Sequence, residues 1–485
     1  MSRQEHTVLD RLFYPKNVAM VGASPKKGIG MTAWSSGNAY IAGCINQGFQ
    51  GNIFPVHPSG ENILGFKTYR SVREIPVEID LAIFTVPSRV ALHIMEECAE
   101  KSVKFVHLLT AGFGETGLEE DEALEKELIQ VARKGGIRVI GPNCMGVLCP
   151  EGGLAWAQYL PNSAGKISFF FQSGALAEHV LIKGSFQGLR YGKAVSFGNA
   201  RDLQPHDFLN YFAHDQKTEI IASYLEGLRD GRTFFNTARA TTPNKPLVVW
   251  KGGRTEGGSR ATRSHTAAIA GSREIWEGLC RQAGIISVNS VEEMICSLSA
   301  LQKLPLPRGT NVAIVGGDGG ESVTMTDIAE EEGLKVPHLS EETIGSLKEF
   351  VPRQGTSVRN PLDVLPYLFD FGDFQRTLRL LDDDTRIDAI ILNIPTWYFY
   401  TTMGRRVFNE FLQVAIETNK TLKKPMLIVV EKEQDLELHS VRKETVELFH
   451  EGNCATFPFI QLAARILAKL NEYRQYLGRN AETVS

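Results

Sequence analysis

Short apolar runs, each ending in a turn, recur along the first part of the chain and restrict its fold more than any other feature. They are residues 18–21 (VAMV), 52–56 (NIFPV), 80–86 (DLAIFTV), 105–109 (FVHLL) and 137–140. Helical patterns such as 90–101 and 119–134 separate them. This alternation predicts a parallel, doubly wound sheet. Ligands bind such sheets beyond the carboxyl ends of the strands, so the turns are the first candidate site.

The same alternation restarts twice further along the chain. A Gly- and Pro-rich segment, 148–165, precedes strands predicted at 166–171, 193–197, 220–225 and 246–251. A second linker, 302–310, precedes strands predicted at 311–315, 389–394 and 425–430 and a final amphipathic helix at 461–477. We therefore predict an α/β chain of three doubly wound domains at residues 1–150, 151–303 and 304–485.

Charge and cysteine content exclude several classes of protein. The net charge of −4 leaves no strongly basic surface, so we expect no nucleic-acid partner. The seven cysteines are odd in number and form no CxxC pair, which argues against a disulfide framework and against a metal site. The N-terminus has no apolar signal core and the chain has no run of 18 apolar residues, so we expect a cytoplasmic protein without a membrane partner.

The turn after the first run contains Gly22, Gly28 and Gly30, which could cradle a phosphate. Their spacing is not the GxGxxG of dinucleotide-binding domains. The second run ends in His57-Pro58 without an acidic residue to hold a ribose 2′-hydroxyl, which argues against an NAD-dependent oxidoreductase. The turn alone is equally consistent with glycines that are needed only for positive φ.

The five strand ends read, in order, VGAS, FPVHP, FTVPS, TAGFGE and GPNCMG. This set resembles the CoA-binding domain of the succinyl-CoA synthetase superfamily, and most closely the α subunits of acyl-CoA synthetases (ADP-forming) of the acetate–CoA ligase type. The resemblance covers nearly the whole chain. It implies a Rossmann-like CoA-binding domain followed by two flavodoxin-like domains of the succinyl-CoA synthetase kind.

The resemblance implies that each strand end contacts coenzyme A. The CoA phosphates would face Gly22, Ala23, Ser24 and Lys26, and the adenosine would lie against Pro55, Val56 and Pro58. The pantetheine arm would lie between Val86 and Pro87, and the thiol end would lie near Ala111, Gly112, Asn143 and Cys144. Family members often carry Lys where this chain has Ser59, so a phosphate contact is either lost or supplied by Lys26 or Lys27.

A glycine-rich, small and polar segment, 252–272, contains His265, and we interpret it as a long functional loop or a loop leading into a helix. Imidazole is nucleophilic near neutral pH and can accept a phosphoryl group, although a lone loop histidine is more often structural. The segment resembles the family's SHTG-small-LAG loop, which implies that His265 becomes phosphohistidine and that Ser264 lies beside the phosphate. The family glycine is Ala267 here, and its added Cβ could restrict the loop.

Three further strand ends converge on the same chemistry. Residues 172–177 (QSGALA) open a helix whose N-terminus can bind an anion, although Ser173 also fits an ordinary N-cap. Without the resemblance, Glu226 would be interpreted as a solvated residue at a strand end. The resemblance implies that Ser173, Gly174 and Ala175 bind a phosphate and that Glu226 forms a hydrogen bond with a ring nitrogen of His265. It also implies that Ser196, Gly198 and Asn199 contact the acyl or phosphate group.

The resemblance implies a phosphoryl relay in which acyl-CoA and phosphate give acyl phosphate, His265 takes the phosphoryl group, and ADP takes it from His265. The chain shows no P-loop and no segment like an ATP-grasp domain. We therefore expect a separate ATP-grasp β subunit, in an α2β2 assembly, that holds ATP or ADP with Mg. Coenzyme A would be a substrate, and no cofactor would be permanently bound. The alternative is a CoA-binding regulatory or scaffold protein without catalysis, which Ala267 and Ser59 favour.

Overall fold

The computed structural model describes residues 3–25, 37–266, 272–364, 370–432 and 435–484, so Lys26, Lys27 and Ala267 lie outside the described residues. The chain divides into two compact units, Met1–Val291 and Glu292–Ser485, and each is described by itself. In the described parts of both units, no helix combines the length and the apolar character that crossing a membrane requires.

The first sheet has five parallel strands in the order β2-β1-β3-β4-β5, which confirms the predicted doubly wound architecture. Because β1 lies between β2 and β3, the switch point of the sheet falls between the ends of β1 and β3. The strands are β1 (Asn17–Val21), β2 (Asn52–Val56), β3 (Leu81–Phe84), β4 (Phe105–Leu108) and β5 (Arg138–Ile140). The helices are α1 (Arg3–Phe13), α2 (Gly37–Asn46), α3 (Ser88–Glu100) and α4 (Glu119–Lys134), with 3-10 turns at Val72–Glu74 and Gly114–Thr116.

Helices cover both faces of this sheet, as the continuous apolar character of its strands requires. All four residues of β3 are buried. Helix α3 buries Ala91, Met95 and Cys98, whose spacing of four and three residues places them on one helical face. Because all five strands are parallel, their carboxyl ends lie at one edge of the sheet.

The second sheet has six strands in the order β11-β10-β9-β7-β8-β6, and only β6 runs antiparallel to its neighbour. The strands are β6 (Gly146–Leu148), β7 (Ala164–Phe171), β8 (Tyr191–Ser196), β9 (Ile220–Leu225), β10 (Leu247–Lys251) and β11 (Ile286–Val288). The helices are α5 (Gly174–Phe186), α6 (Pro205–His214), α7 (Gly231–Thr241), α8 (Glu256–Thr266) and α9 (Arg273–Ala283). Strand β6 follows β5 directly and pairs Gly146 with Ser196, so the end of the first sheet meets the end of β8.

The second unit contains a four-stranded parallel sheet in the order β12-β13-β14-β15. Its strands are β12 (Val312–Val315), β13 (Ala389–Ile394), β14 (Met426–Val430) and β15 (Thr456–Phe457). Its helices are α10 (Val291–Lys303), α11 (Gly319–Glu331), α12 (Glu341–Leu347), α13 (Phe371–Asp383), α14 (Thr396–Asn419), α15 (Leu436–Glu451) and α16 (Ile460–Val484). Stacked Phe399 and Phe411 lie in its core, and a glycine-containing turn after β12 leads into α11.

Candidate active site

The turn after β1 is fixed by close packing against β3 and α2. Gly22 has φ +96°, and a Cβ at this position would lie 2.7 Å from Thr85 Oγ1. The Ser24 N–H donates to Asn38 Oδ1 at 3.0 Å, and Asn38 Nδ2 donates to the Ser24 carbonyl oxygen at 2.9 Å. Ala23 is fully buried. Positive φ is therefore required at Gly22, and the turn still borders the switch point where a ligand would bind.

The ends of β2 and β3 lie at the same edge of the sheet. Pro55 and Val56 are buried within β2, whereas Pro58 is exposed in the turn that follows. Val86 is half-buried and exposed Pro87 is the N-cap residue of α3. The ends of β2 and β3 therefore lie beside the turn of Gly22, because Val21 pairs with Val56 on one side and with Phe84 on the other.

The turns after β4 and β5 are held by backbone hydrogen bonds. The N–H of Gly112, a residue with φ +92°, donates to Glu115 Oε1 at 2.6 Å, and the Asn143 N–H donates to the Thr110 carbonyl oxygen at 2.9 Å. Ala111 is exposed beside them. The Cys144 thiol faces inward and donates to the Leu108 carbonyl oxygen at 3.4 Å, and burial raises its pKa. Only the backbone of Cys144 is therefore available to a ligand.

The turn after β8 packs directly on the turn after β5. Ser196 Oγ accepts the Met145 N–H at 3.1 Å, and the Asn199 N–H donates to the Pro142 carbonyl oxygen at 3.0 Å. A Cβ on Gly198 would overlap the carbonyl oxygens of Pro142 and Asn143. The structure therefore brings the predicted thiol-end turn and the predicted acyl or phosphate pocket together.

The side chain of Asn199 has a structural contact. Its Nδ2 donates to Glu115 Oε2 at 2.6 Å and lies 3.2 Å from Glu125 Oε1. Glu125 also forms an ion pair with Arg201 at 2.5 Å. This polar cluster anchors the 112–116 turn to the second sheet, so Asn199 acts on the pocket through its backbone and through Glu115.

We expect Gly198→Ala to separate the two turns and to lower the free energy of unfolding by about 3 kcal/mol, combining a left-handed backbone penalty with overpacking. Gly117→Ala is the matched control, because Gly117 has φ +74° and no atom within 4 Å of its Cβ position. The control should lose only about 1 kcal/mol. Urea unfolding of both variants measures the difference, and equal losses would show that the contact at Gly198 is unimportant.

The N-terminus of α5 enters the same space. Ser173 is the N-cap, and its Oγ accepts the Leu176 N–H at 3.4 Å. A Cβ on Gly174 would overlap Met145 Cγ, so the helix start lies against the thiol-end turn. Ala175 is exposed in the first helical turn. First-turn N–H groups have no acceptor within the helix and carry partial positive charge, so this position suits an anion.

Glu226, directly after β9, is buried with 5% exposure, unlike a solvated strand-end residue. Its N–H donates to Gln172 Oε1 at 2.8 Å, and its carboxylate accepts a hydrogen bond from the Tyr224 hydroxyl. Lys251 Nζ donates to the Glu226 carbonyl oxygen at 2.7 Å. Burial, and secondarily Glu226, raises the pKa of Tyr224, so the phenol stays a donor to the carboxylate.

Gln172 and Lys251 were not predicted as site residues. Both are polar residues at the carboxyl ends of apolar strands, and that position was the available signal. Burial lowers the pKa of the Lys251 ammonium to about 8, and Arg254 acts in the same direction while Glu226 opposes the shift. The carboxylate at Glu226 therefore has a buried cation close to it.

His265 belongs to the last turn of α8, the helix that follows β10. The segment predicted as a loop or a loop leading into a helix is thus helical from Glu256 to Thr266. Helix α8 approaches the 114–116 turn to within 8 Å between Cα atoms. The side chains of His265 and Ser264 lie outside the described residues. The helix that carries His265 therefore lies beside the turn that follows Gly112.

Three family models match the chain in succession. They are a CoA binding domain at residues 16–150, a succinyl-CoA ligase like flavodoxin domain at 164–301, and a Ligase-CoA domain at 312–474. These matches confirm the three-domain α/β architecture and the resemblance predicted from the strand ends.

Characterised relatives cover most of the chain. The acetate–CoA ligase [ADP-forming] II subunit alpha of Pyrococcus furiosus is 39% identical over 79% of this chain and 82% of its own length. The corresponding enzyme I subunit alpha is 33% identical over 98% of this chain and 99% of its own length. The acetate–CoA ligase [ADP-forming] I of Archaeoglobus fulgidus is 38% identical over 80% of this chain, which spans 55% of that protein.

A solved structure has the same fold. The dinucleotide forming acetyl-coenzyme A synthetase 1 of Ca. Korarchaeum cryptofilum, in complex with phosphate and ADP, matches with a TM-score of 0.82 and 28% identity. The match covers 98% of this chain and 99% of that one. Both the sequence and the fold are therefore shared with proteins of one enzyme family.

Proposed function

The chain belongs to the ADP-forming acyl-CoA synthetases, a family of acid–thiol ligases, and from that premise we propose the reaction that it performs. It interconverts acyl-CoA, ADP and phosphate with carboxylic acid, ATP and CoA through acyl phosphate and phosphohistidine at His265. The observation that carries this proposal is the junction of the thiol-end turn, Ser196 and the N-terminus of α5, with Glu226 and the helix of His265 in the same unit.

The first step joins phosphate to the acyl group. A phosphate oxygen attacks the thioester carbonyl carbon, a C–O bond forms, the C–S bond breaks, and CoA leaves as the thiolate that takes up a proton. The N-terminus of α5 would hold the phosphate through the N–H groups of Gly174 and Ala175. Ser196 would add its hydroxyl at the oxygen that gains charge, since its Oγ already accepts from the Met145 N–H.

The second step transfers the phosphoryl group to His265. A ring nitrogen attacks phosphorus, a P–N bond forms, the P–O bond to the acyl group breaks, and the carboxylate leaves. The Glu226 carboxylate would accept a hydrogen bond from the other ring N–H. It would thus select one tautomer and stabilise the positive charge that develops on the ring.

The third step takes place on an ATP-grasp partner. Phosphohistidine would pass its phosphoryl group to ADP held with Mg by a separate β subunit, in an α2β2 assembly. Two relatives are named as alpha subunits, and the A. fulgidus relative extends well beyond the length of this chain. Both arrangements support a partner that is separate in some proteins and continuous with the α part in others.

The experiment that tests the proposal compares the chain alone with the chain plus a family ATP-grasp β subunit, supplied with acetate, ATP and CoA. We expect acetyl-CoA and ADP only when both proteins are present. ATP-dependent thioester formation by the chain alone would contradict the need for a partner. Binding of CoA without turnover, with partner present and across several carboxylic acids, would favour the regulatory CoA-binding alternative.

Arg70 is a candidate for the phosphate contact that the family lysine would make at the position of Ser59. The His57 N–H donates to the Tyr69 carbonyl oxygen at 2.9 Å, so the segment of Arg70 lies beside the β2 turn. A Cβ on Gly60 would be 3.2 Å from Arg70 Nε. In doubly wound domains an arginine near the second strand end can hold a ribose phosphate. Arg70 is therefore placed to meet the 3′-phosphate of CoA.

We expect Arg70→Gln to weaken CoA binding about tenfold, which corresponds to one charge-assisted contact. Binding of dephospho-CoA, which lacks the 3′-phosphate, should stay unchanged and serves as the matched control. Calorimetric titration of both ligands against both proteins measures the difference. A loss of affinity for the two ligands alike would show that Arg70 supports the turn and does not contact the phosphate.

A further inference from the structure

Lys251 is a buried cation with two acceptors on different segments. Its Nζ donates to the Glu226 carbonyl oxygen at 2.7 Å and to the Gly252 carbonyl oxygen at 2.5 Å, and the residue is only 6% exposed. One acceptor belongs to the turn that bears the buried carboxylate. The other belongs to the connection between β10 and α8, the helix of His265. The ammonium therefore connects the turn of Glu226 with the segment that leads to the helix of His265.

The surrounding residues leave this position little freedom. Lys251 pairs with Leu225 in the register of β10 and β9, so Glu226 follows immediately on the neighbouring strand. A Cβ on Gly252 would lie 2.5 Å from the Tyr224 hydroxyl oxygen, the group that donates to Glu226. Beyond Gly252, a Cβ on Gly253 would lie 2.7 Å from Thr262 Oγ1 on α8. A rigid series of contacts thus runs from Glu226 to the His265 helix.

We propose that Lys251 is a positioning residue, an inference that rests on the proposed function. Its ammonium holds Glu226 and the segment before α8 in a fixed relation and offsets the charge of the buried carboxylate. Phosphoryl transfer to His265 therefore requires the protonated form of Lys251. A buried charge without a partner is strongly destabilising, so the Lys251 ammonium keeps the Glu226 carboxylate in the position from which it would stabilise the imidazolium. Loss of the Lys251 proton removes that cation and one of its three donors.

The charged groups that act on Lys251 are Glu226 on the adjoining turn and Arg254 on the connection to α8. Burial lowers the pKa of Lys251 to about 8, so the ammonium loses its proton as the pH rises through this value. Tyr224 remains protonated in the same interval because burial raises its pKa. The alkaline limb of the pH–rate profile, which is the fall in rate at high pH, therefore reports on Lys251.

The test measures the single-turnover rate at which the full chain acquires base-stable phosphoryl label from labelled acetyl phosphate, between pH 6 and 10. In the unmodified protein the rate should fall about 25-fold from pH 7.5 to 9.5, following the protonated fraction of a group whose pKa is about 8. Lys251→Arg should abolish this limb because a guanidinium stays protonated. Lys251→Met should react slowly at every pH, without an alkaline limb.

Lys245 offers a matched control at the opposite end of β10. Its Nζ also donates to two backbone carbonyl oxygens, those of Phe212 at 2.8 Å and Asp215 at 2.6 Å. Lys245→Met should be destabilised yet keep the limb of the unmodified protein. A limb that persists in Lys251→Arg, or a flat profile in the unmodified protein, would overturn this inference. Absence of any label dependent on His265 would instead refute the proposed function.

Discussion

His265→Ala is expected to make no detectable acyl-CoA, a loss of at least about a thousandfold, because the carrier of the phosphoryl group is gone. The ends of β1 to β5 that are proposed to hold CoA do not depend on this side chain. CoA affinity should therefore stay at the level of the unmodified protein. Coupled assay of the variant with an ATP-grasp β subunit, together with a CoA titration, measures both quantities.

His93→Ala is the control for this experiment. His93 lies on α3 with 64% of its side chain exposed, and its contacts with Glu96 and Glu97 are 3.5 Å and 3.6 Å long. The His93 ring is exposed and both contacts are long, so activity should be unchanged. Substantial acyl-CoA formation by His265→Ala would mean that the phosphoryl group passes directly from acyl phosphate to ADP.

Glu226→Gln should slow phosphorylation of His265 about a thousandfold while leaving the fold and CoA binding intact. The amide has the shape of the carboxylate but carries no charge to stabilise an imidazolium, and it can present an N–H to the ring and favour the wrong tautomer. The Gln172 and Lys251 bonds to the backbone of residue 226 remain available in the variant. Single-turnover labelling by acetyl phosphate isolates this step from CoA and nucleotide.

Glu219→Gln is the matched control, because Glu219 immediately precedes β9 and Glu226 immediately follows it. The Glu219 side chain is 58% exposed and pairs with Lys166 at 2.5 Å. Its loss should leave the labelling rate unchanged. If Glu226→Gln labels as fast as this control, another group must orient the ring of His265.

The order of strands and helices could be predicted because each long strand of the three sheets is apolar and ends at Gly, Pro or a polar residue. Strands β6, β11 and β15, which have only two or three residues each, were missed, whereas the equally short β5 was predicted from the turn at Gly141 that follows it. Although it is short, strand β6 is important for the candidate site. By pairing Gly146 with Ser196, it joins the two turns that form the candidate site.

The turn glycines of the site could be predicted from position, but the polar contacts could not. Gln172 and Glu226 are 54 residues apart, and Lys251 and Glu226 are 25 apart. A single sequence does not show which polar side chains meet across neighbouring strands. For the same reason, the inward direction of the Cys144 thiol and the contact of Asn199 with Glu115 emerge only from the folded chain.

The most direct test of the relay supplies the pure chain with acetyl-CoA and labelled inorganic phosphate, without nucleotide or partner. We expect phosphate label on the chain that is stable in base, labile in acid and absent from His265→Ala, with release of free CoA. Such a result requires both acyl phosphate formation and transfer to histidine within this chain. Release of CoA without label, or label that survives in His265→Ala, would contradict it.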